Sequence, residues 1–223
     1  MTKEQIILLI ERMNTVENVR ESSDSISWKA HREAETFDDA SLYPLLQEII
    51  CENSKPKEKK NRGAAYFIIG KLLINSFDKA ACKFFIAQLM VETDKYIIAS
   101  MLERMADIEI PSDICIEPLV YHSRNEKWLI RNSAICALGS SRTEMSKAAL
   151  AFYLNQEDEK AYKQEIIYAN ASLGRIGELS DIPLLEKHIL SRSRDIKISA
   201  QFAIDRIRER EQQLVGHAIH NSI

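Results

Sequence analysis

Apolar residues recur along this chain at helical rather than strand spacing. Leu42, Leu45, Leu46, Ile49 and Ile50 follow i, i+3, i+4, i+7, i+8, one side of a helix with 3.6 residues per turn. Ala81, Phe84, Phe85 and Leu89 trace a second stripe, and Ile182, Leu185 and Ile189 a last one. Between these stripes runs a shared signature. With Leu138-Gly139 as position zero, Ile69-Gly70, Leu102-Glu103, Leu173-Gly174 and Ile204-Asp205 are its equivalents, at separations of 33, 36, 35 and 31 residues. Four positions earlier stand Ala65, Ile98, Ala134, Ala169 and Ala200; one earlier stand Ile68, Met101, Ala137, Ser172 and Ala203. Seven earlier stand Arg62, Lys95, Arg131, Ile166 and Lys197. Small residues at −4 and −1 predict a neighbouring helix at close range.

Each unit therefore reads as helix A followed by an antiparallel helix B. A period of 31–36 residues belongs to helical solenoids. One helix pair cannot bury its apolar face alone, whereas stacked pairs make a continuous core. Residues 38–210 read as the repeat array, with 1–37 as an N-terminal helical cap and 211–223 as a C-terminal tail. Helix 1 (about Thr2 to Met13) and the segment around Trp28 supply the cap. Ser180-Asp181-Ile182-Pro183 predicts an N-cap with proline in the first turn. The charged stretch SKPKEKKNR (54–62) is expected to be a long loop between the first A and B helices.

Composition agrees with few turns and little sheet: Gly 6, Pro 5 and aromatics 7% in 223 residues, with 45% hydrophobic. The net charge of −3 weighs against a chain whose affinity rests on phosphate contacts. The longest N-terminal apolar run, Ile6 to Ile10, is too short for a signal core or a membrane span, which predicts a cytoplasmic protein with no membrane contact. Cys51, Cys82, Cys115 and Cys136 lack metal spacing and are expected as reduced, packed thiols. His217 and His220 are three apart near the C-terminus without a third ligand, so neither metal nor cofactor is expected.

The tetratricopeptide W-x-x-L-G and ankyrin T-P-L-H signatures are absent. The stretches KWLIRNSAICALG (127–139) and ASLGRIGELSDIPLLEKHI (171–189) instead resemble the HEAT-like repeats of the bilin-lyase type. The shared elements are a basic residue, alanine and Leu-Gly on helix B, then a Gly-acid turn and a helix A bearing proline. The likeness covers about residues 38–210, most strongly the last three units. It implies an all-α, right-handed superhelical solenoid of about five helix pairs, with the B helices on the concave wall.

Projected at 100° per residue, the B-helix side away from the apolar arc holds Tyr66, Glu103, Asn170, Gln201 and Asp205, with Asn132 at −6. These six read either as a partner-binding wall or as an ordinary solvated face. A column at +2 holds Lys71, Arg104, Arg175 and Arg206, either a basic edge or solvated surface charge. The basic column at −7, near Asp94, Glu126 and Asp195, predicts a ladder of ion pairs between neighbouring turns. No nucleophile elbow or phosphate-cradling glycine loop occurs. The expected function is therefore non-catalytic binding of a protein partner, as an adaptor or regulatory module. The alternative is nucleic-acid binding related to the alkyl-base DNA glycosylases that share such a solenoid. Against it stand two tryptophans, Trp28 and Trp128, and an amide at Asn132, which cannot stabilise an oxocarbenium-like centre.

Overall fold

In the computed structural model, the backbone is described for residues 1–220 and the side chains for residues 1–214. The helical period is realised throughout. The α-helices are α1 (Lys3–Met13), α2 (Ile26–Glu35), α3 (Leu42–Glu52), α4 (Lys59–Asn75), α5 (Lys79–Gln88) and α6 (Lys95–Met105). There follow α7 (Glu117–His122), α8 (Trp128–Leu138), α9 (Glu144–Leu154), α10 (Lys163–Ile176), α11 (Ile182–Ile189) and α12 (Arg194–His220). No strand forms among the described residues beyond an isolated parallel bridge between Ile110 and Ser141. None of their helices is long and apolar enough to cross a membrane. His217 and His220 lie outside the described side chains.

The chain divides after Arg104 into two compact units. The first holds α1 and α2 against α3 and α4, with α5 on α4 and α6 closing the unit; the second holds α7–α8, α9–α10 and α11–α12. Local chemistry sets the helix starts. Thr2 and Gln5 form a reciprocal capping box on α1, Asp78 accepts from the Ala81 N–H at 2.7 Å, and Thr143 accepts from Ser146 at 3.2 Å. At α11 the stretch behaves as expected in position, with Asp181 at the N-cap and Pro183 in the first turn, but no side chain caps the helix. Leu179–Asp181 is a short 3-10 turn in which the Asp181 carboxylate accepts from the Glu178 N–H. SKPKEKKNR is likewise not an open loop, since α4 begins at Lys59. Arg62 gathers the connection by donating to the carbonyls of Asn53 (2.6 Å) and Lys55 (3.3 Å).

Every residue of the −4, −1 and zero columns is buried. The expected ladder forms in part: two of the four basic residues of the −7 column make rungs, with shifted partners, and the lysines that meet Asp94 and Asp195 lie outside that column. Arg62 pairs with Glu92 and Arg131 with Glu165, while Asp94 pairs with Lys59 and Asp195 with Lys163. Arg131 also donates to the carbonyls of Asn125 (2.8 Å) and Glu126 (3.0 Å), the same backward reach as Arg62. The helix-A layer has its own ties one repeat apart. Tyr43 donates to the Ser76 carbonyl at 2.7 Å, and the His188 ring bonds the Leu154 carbonyl at 3.0 Å.

Leu-Gly has a steric reason. A Cβ on Gly139 would stand 2.9 Å from the Cα of Ser172, and one on Gly174 would stand 2.8 Å from the Cα of Ala203. Position +1 is therefore where one B helix touches the next. Cysteine packing departs from expectation: Cys82 is buried and its thiol is pushed up to about 11 by burial, but Cys51 and Cys115 are exposed.

Candidate binding groove

The first unit carries a groove built on α2, α4 and α6. A cavity of about 530 Å³ is lined by His31 of α2, by Lys59, Lys60, Gly63, Ala64 and Phe67 of α4, and by Tyr96, Ile97, Ser100, Met101 and Arg104 of α6. A second depression, lined by Trp28, His31, Arg32 and Phe67 among others, shares His31 and Phe67 with it. On α4 and α6 these residues follow the −6/−5, −2 and +2 columns, a helical face that the stacked neighbours leave open.

Phe67 is the centre of the groove. The His31 ring meets it edge-on at 4.9 Å, the Arg104 guanidinium lies 4.6 Å from its centroid, and the Lys71 ammonium lies at 5.9 Å. Arg32 stands 5.7 Å over Trp28, and Lys95 stands 4.8 Å over Tyr96. Trp28 and Tyr96 are 43% and 64% exposed. The His31 Nδ1 donates to the Ser27 carbonyl at 2.8 Å, which fixes the orientation of the ring.

Several groove cations are matched by carboxylates. Glu35 pairs with Arg32 at 2.6 Å and with Lys71 at 3.5 Å; Asp94 pairs with Lys59 at 2.8 Å. Lys59, aided by the Tyr96 and Ile97 N–H groups at the start of α6, holds the Asp94 carboxyl below its usual range against the opposing effect of partial burial. Arg104 differs: its Nε is buried without a hydrogen-bond partner.

The proposed wall of Tyr66, Glu103, Asn132, Asn170, Gln201 and Asp205 is not one surface. Tyr66 borders the groove cavity but is only 2% exposed, donates its hydroxyl to the Gln88 side chain at 3.1 Å and packs edge-on against Phe85. Burial accordingly pushes its phenol up. Asn170 is fully buried and donates to Ser199 of α12 at 3.0 Å, and Asn132 is buried on α8. Gln201 and Asp205 are exposed on α12 and bonded to each other at 2.8 Å, while Glu103 is exposed on α6. The physical reason is that −3 and +1 face the next repeat within a unit, so Tyr66 and Asn170 are interior, whereas Glu103 on the last helix of the first unit and Gln201 and Asp205 on α12 are exposed.

Of the basic column, Lys71 and Arg104 meet over Phe67 and so belong to the groove. In the second unit, Arg175 is held below its usual range first by burial and then by nearby Arg206. The same unit gains Arg210, which caps α10 through the carbonyls of Gly174 (3.1 Å) and Arg175 (2.9 Å). Phe67, His31, Tyr96 and Trp28 were missed as groove residues. The signal for one of them was an aromatic-cation pair four residues apart, Phe67 with Lys71, repeated as Phe202 with Arg206.

No protein-family model matches the chain, and no curated protein matches it by sequence. Solved structures match by fold. A designed armadillo repeat protein in complex with the peptide (KR)4 aligns at TM-score 0.52 and 15% identity, over 91% of this chain and 99% of that one. A second designed armadillo repeat protein aligns at 0.49 and 15%, over 91% and 99%. Human deoxyhypusine hydroxylase in complex with glycerol aligns at 0.46 and 14%, over 93% and 75%. The fold is therefore an all-α helical-repeat solenoid of armadillo-like type.

Proposed function

We propose that this chain is a non-catalytic protein-binding module whose first unit holds a segment of a partner protein in the α2–α4–α6 groove. The observation that carries this reading is Phe67, an aromatic floor bearing His31, Arg104 and Lys71 beside a cavity of about 530 Å³. Exposed aromatics such as Tyr96 and Trp28 give large contact area at small rotamer cost, as binding surfaces require. The designed armadillo protein of similar fold is described with a bound peptide. That likeness lends the mode of binding to the proposal, and no more.

The test is site-specific photo-crosslinking in the native host. A photoreactive residue at Tyr96 should join a discrete partner, whereas one at Leu190, which is 85% exposed on the helix-A side, should not. Crosslinking from Leu190 with none from Tyr96 would remove the groove from the function.

A second reading has its own observation. Cations interleaved with exposed rings also suit a single nucleic-acid strand, whose bases stack on aromatics. The net charge of −3 and the carboxylates Glu35 and Asp94 inside the groove oppose a polyanion. Oligothymidylate binding that weakens steeply with salt would favour this alternative.

A further inference from the structure

We infer that the groove recognises an acidic segment, receiving one aspartate or glutamate carboxylate at Arg104 and a neighbouring large apolar side chain in the adjoining cavity. This deepens the protein-binding proposal and rests on it.

Arg104 is held in place before any ligand arrives. Its aliphatic stem crosses Gly70 so closely that a Cβ there would stand 2.8 Å away, and its guanidinium lies on the Phe67 ring. A ring contact covers a face of the guanidinium and leaves the N–H edges, which are the groups that bind carboxylate two bonds at a time. Within the groove, Arg32, Lys59 and Lys71 each have a carboxylate of the chain. Arg104 has a buried Nε with no acceptor. That Nε lies out of a ligand's reach, but Arg104 as a whole is part-exposed, so an incoming carboxylate would meet its Nη groups, already set in place by the ring and the Gly70 contact.

Beside this cation the walls are apolar. Ala64, Phe67, Ile97 and Met101 line the cavity together with the exposed Tyr96. The volume is more than one large apolar side chain needs and leaves room for the flanking backbone of a short segment. Charge then selects the class of ligand. Glu35 and Asp94 would repel a backbone carrying a charge at every nucleotide, but a single carboxylate set on Arg104 avoids them.

Fluorescence anisotropy with synthetic labelled peptides of about ten residues tests this. Each probe carries one pair of neighbouring residues in a Gly-Ser background: Glu with Phe, Gln with Phe, Lys with Phe, or Glu with Ser; an oligothymidylate of similar length is the polyanion. The Glu-Phe peptide should bind about tenfold or more tighter than each of the others. Arg104→Gln should erase the preference for Glu-Phe over Gln-Phe, and Arg104→Lys, which keeps charge but loses the fork, should fall between. Melting curves of both variants accompany the assay, and Arg104→Lys serves if Arg104→Gln does not fold. Equal binding of Gln-Phe and Glu-Phe, tighter binding of Lys-Phe or thymidylate, an unaffected Arg104→Gln, or no peptide binding would each overturn the inference. If crosslinking at Tyr96 persists in Arg104→Gln, the groove proposal stands and only the acidic assignment falls. Absence of crosslinking at Tyr96 in the parent removes both.

Discussion

Arg62 and Glu92 form a buried pair with two parallel bonds, Nε to Oε2 at 2.6 Å and Nη2 to Oε1 at 3.0 Å. The remaining capacity is also used. Arg62 reaches back to the Asn53 carbonyl, and Glu92 accepts the N–H groups of Thr93 and Asp94 at 2.8 and 2.9 Å. Removing one member would strand the other, so Arg62→Met or Glu92→Gln should each cost about 3–5 kcal/mol. Burial alone would push the Glu92 carboxyl up, but Arg62 and the two amides hold it below its ordinary value of 4.5. Its folded value is thus the lower one. The stabilisation is present above about pH 4.5 and is lost as pH falls through the folded value. Urea denaturation at neutral and acidic pH should show this loss in the parent and a smaller one in Glu92→Gln.

His188 titrates with a different origin. Burial pushes its imidazole below its ordinary 6.5, against the raising effect of the bond to the Leu154 carbonyl. Below about pH 6.5 the unfolded chain binds a proton that the folded chain refuses, so stability should fall there and level off below the folded value. His188→Gln should remove this component from the denaturation midpoint measured across pH 7 to about pH 5, within the span where histidine titrates.

Ala134 is fully buried on α8, and Gly139 lies against Ser172 of α10. Ala134→Leu should destabilise by roughly 1–3 kcal/mol through overpacking, and Gly139→Ala by a comparable amount because backbone stands in the way. Gln201→Ala, on the exposed side of α12, should stay within about 0.5 kcal/mol. Thermal melts that failed to separate these two groups would mean the repeat register is misassigned.

Tyr66 belongs to the core. Tyr66→Phe should lose the bond to Gln88, about 0.5–1.5 kcal/mol, and Tyr66→Ala should cost about 3–5 kcal/mol as a large buried ring does. A Tyr66→Ala protein that keeps its melting temperature while losing a partner would restore the residue as a surface anchor.

The repeat architecture was legible because it is written in spacing. Ala65, Ala134, Ala169 and Ala200 recur at one helical position, and all four are buried. The binding face was misread for a geometric reason. A projection of one helix assumes a single buried side, yet a B helix inside a stack is covered by its own helix A and by the B helices on either side. Tyr66 and Asn170 therefore turn inward although they lie opposite the apolar centre, and Asn170 finds a partner in Ser199 only once the repeats stack. Arg104 was visible as a charge in a column, but its unmatched Nε and its seat on Phe67 are properties of three dimensions.

The outward side of α12 has a bearing on how long such an array runs. Nothing in a stacked pair counts how many others follow; each B helix simply offers positions −3 and +1 to a newcomer. On α8 that offer is Ile135 and Gly139, an apolar side chain and a dent. On α12 it is Gln201 and Asp205, which spend their hydrogen bond on each other. Replacing them with isoleucine and glycine would give α12 the face that α8 offers, onto which a second molecule could add as though it were the next clause.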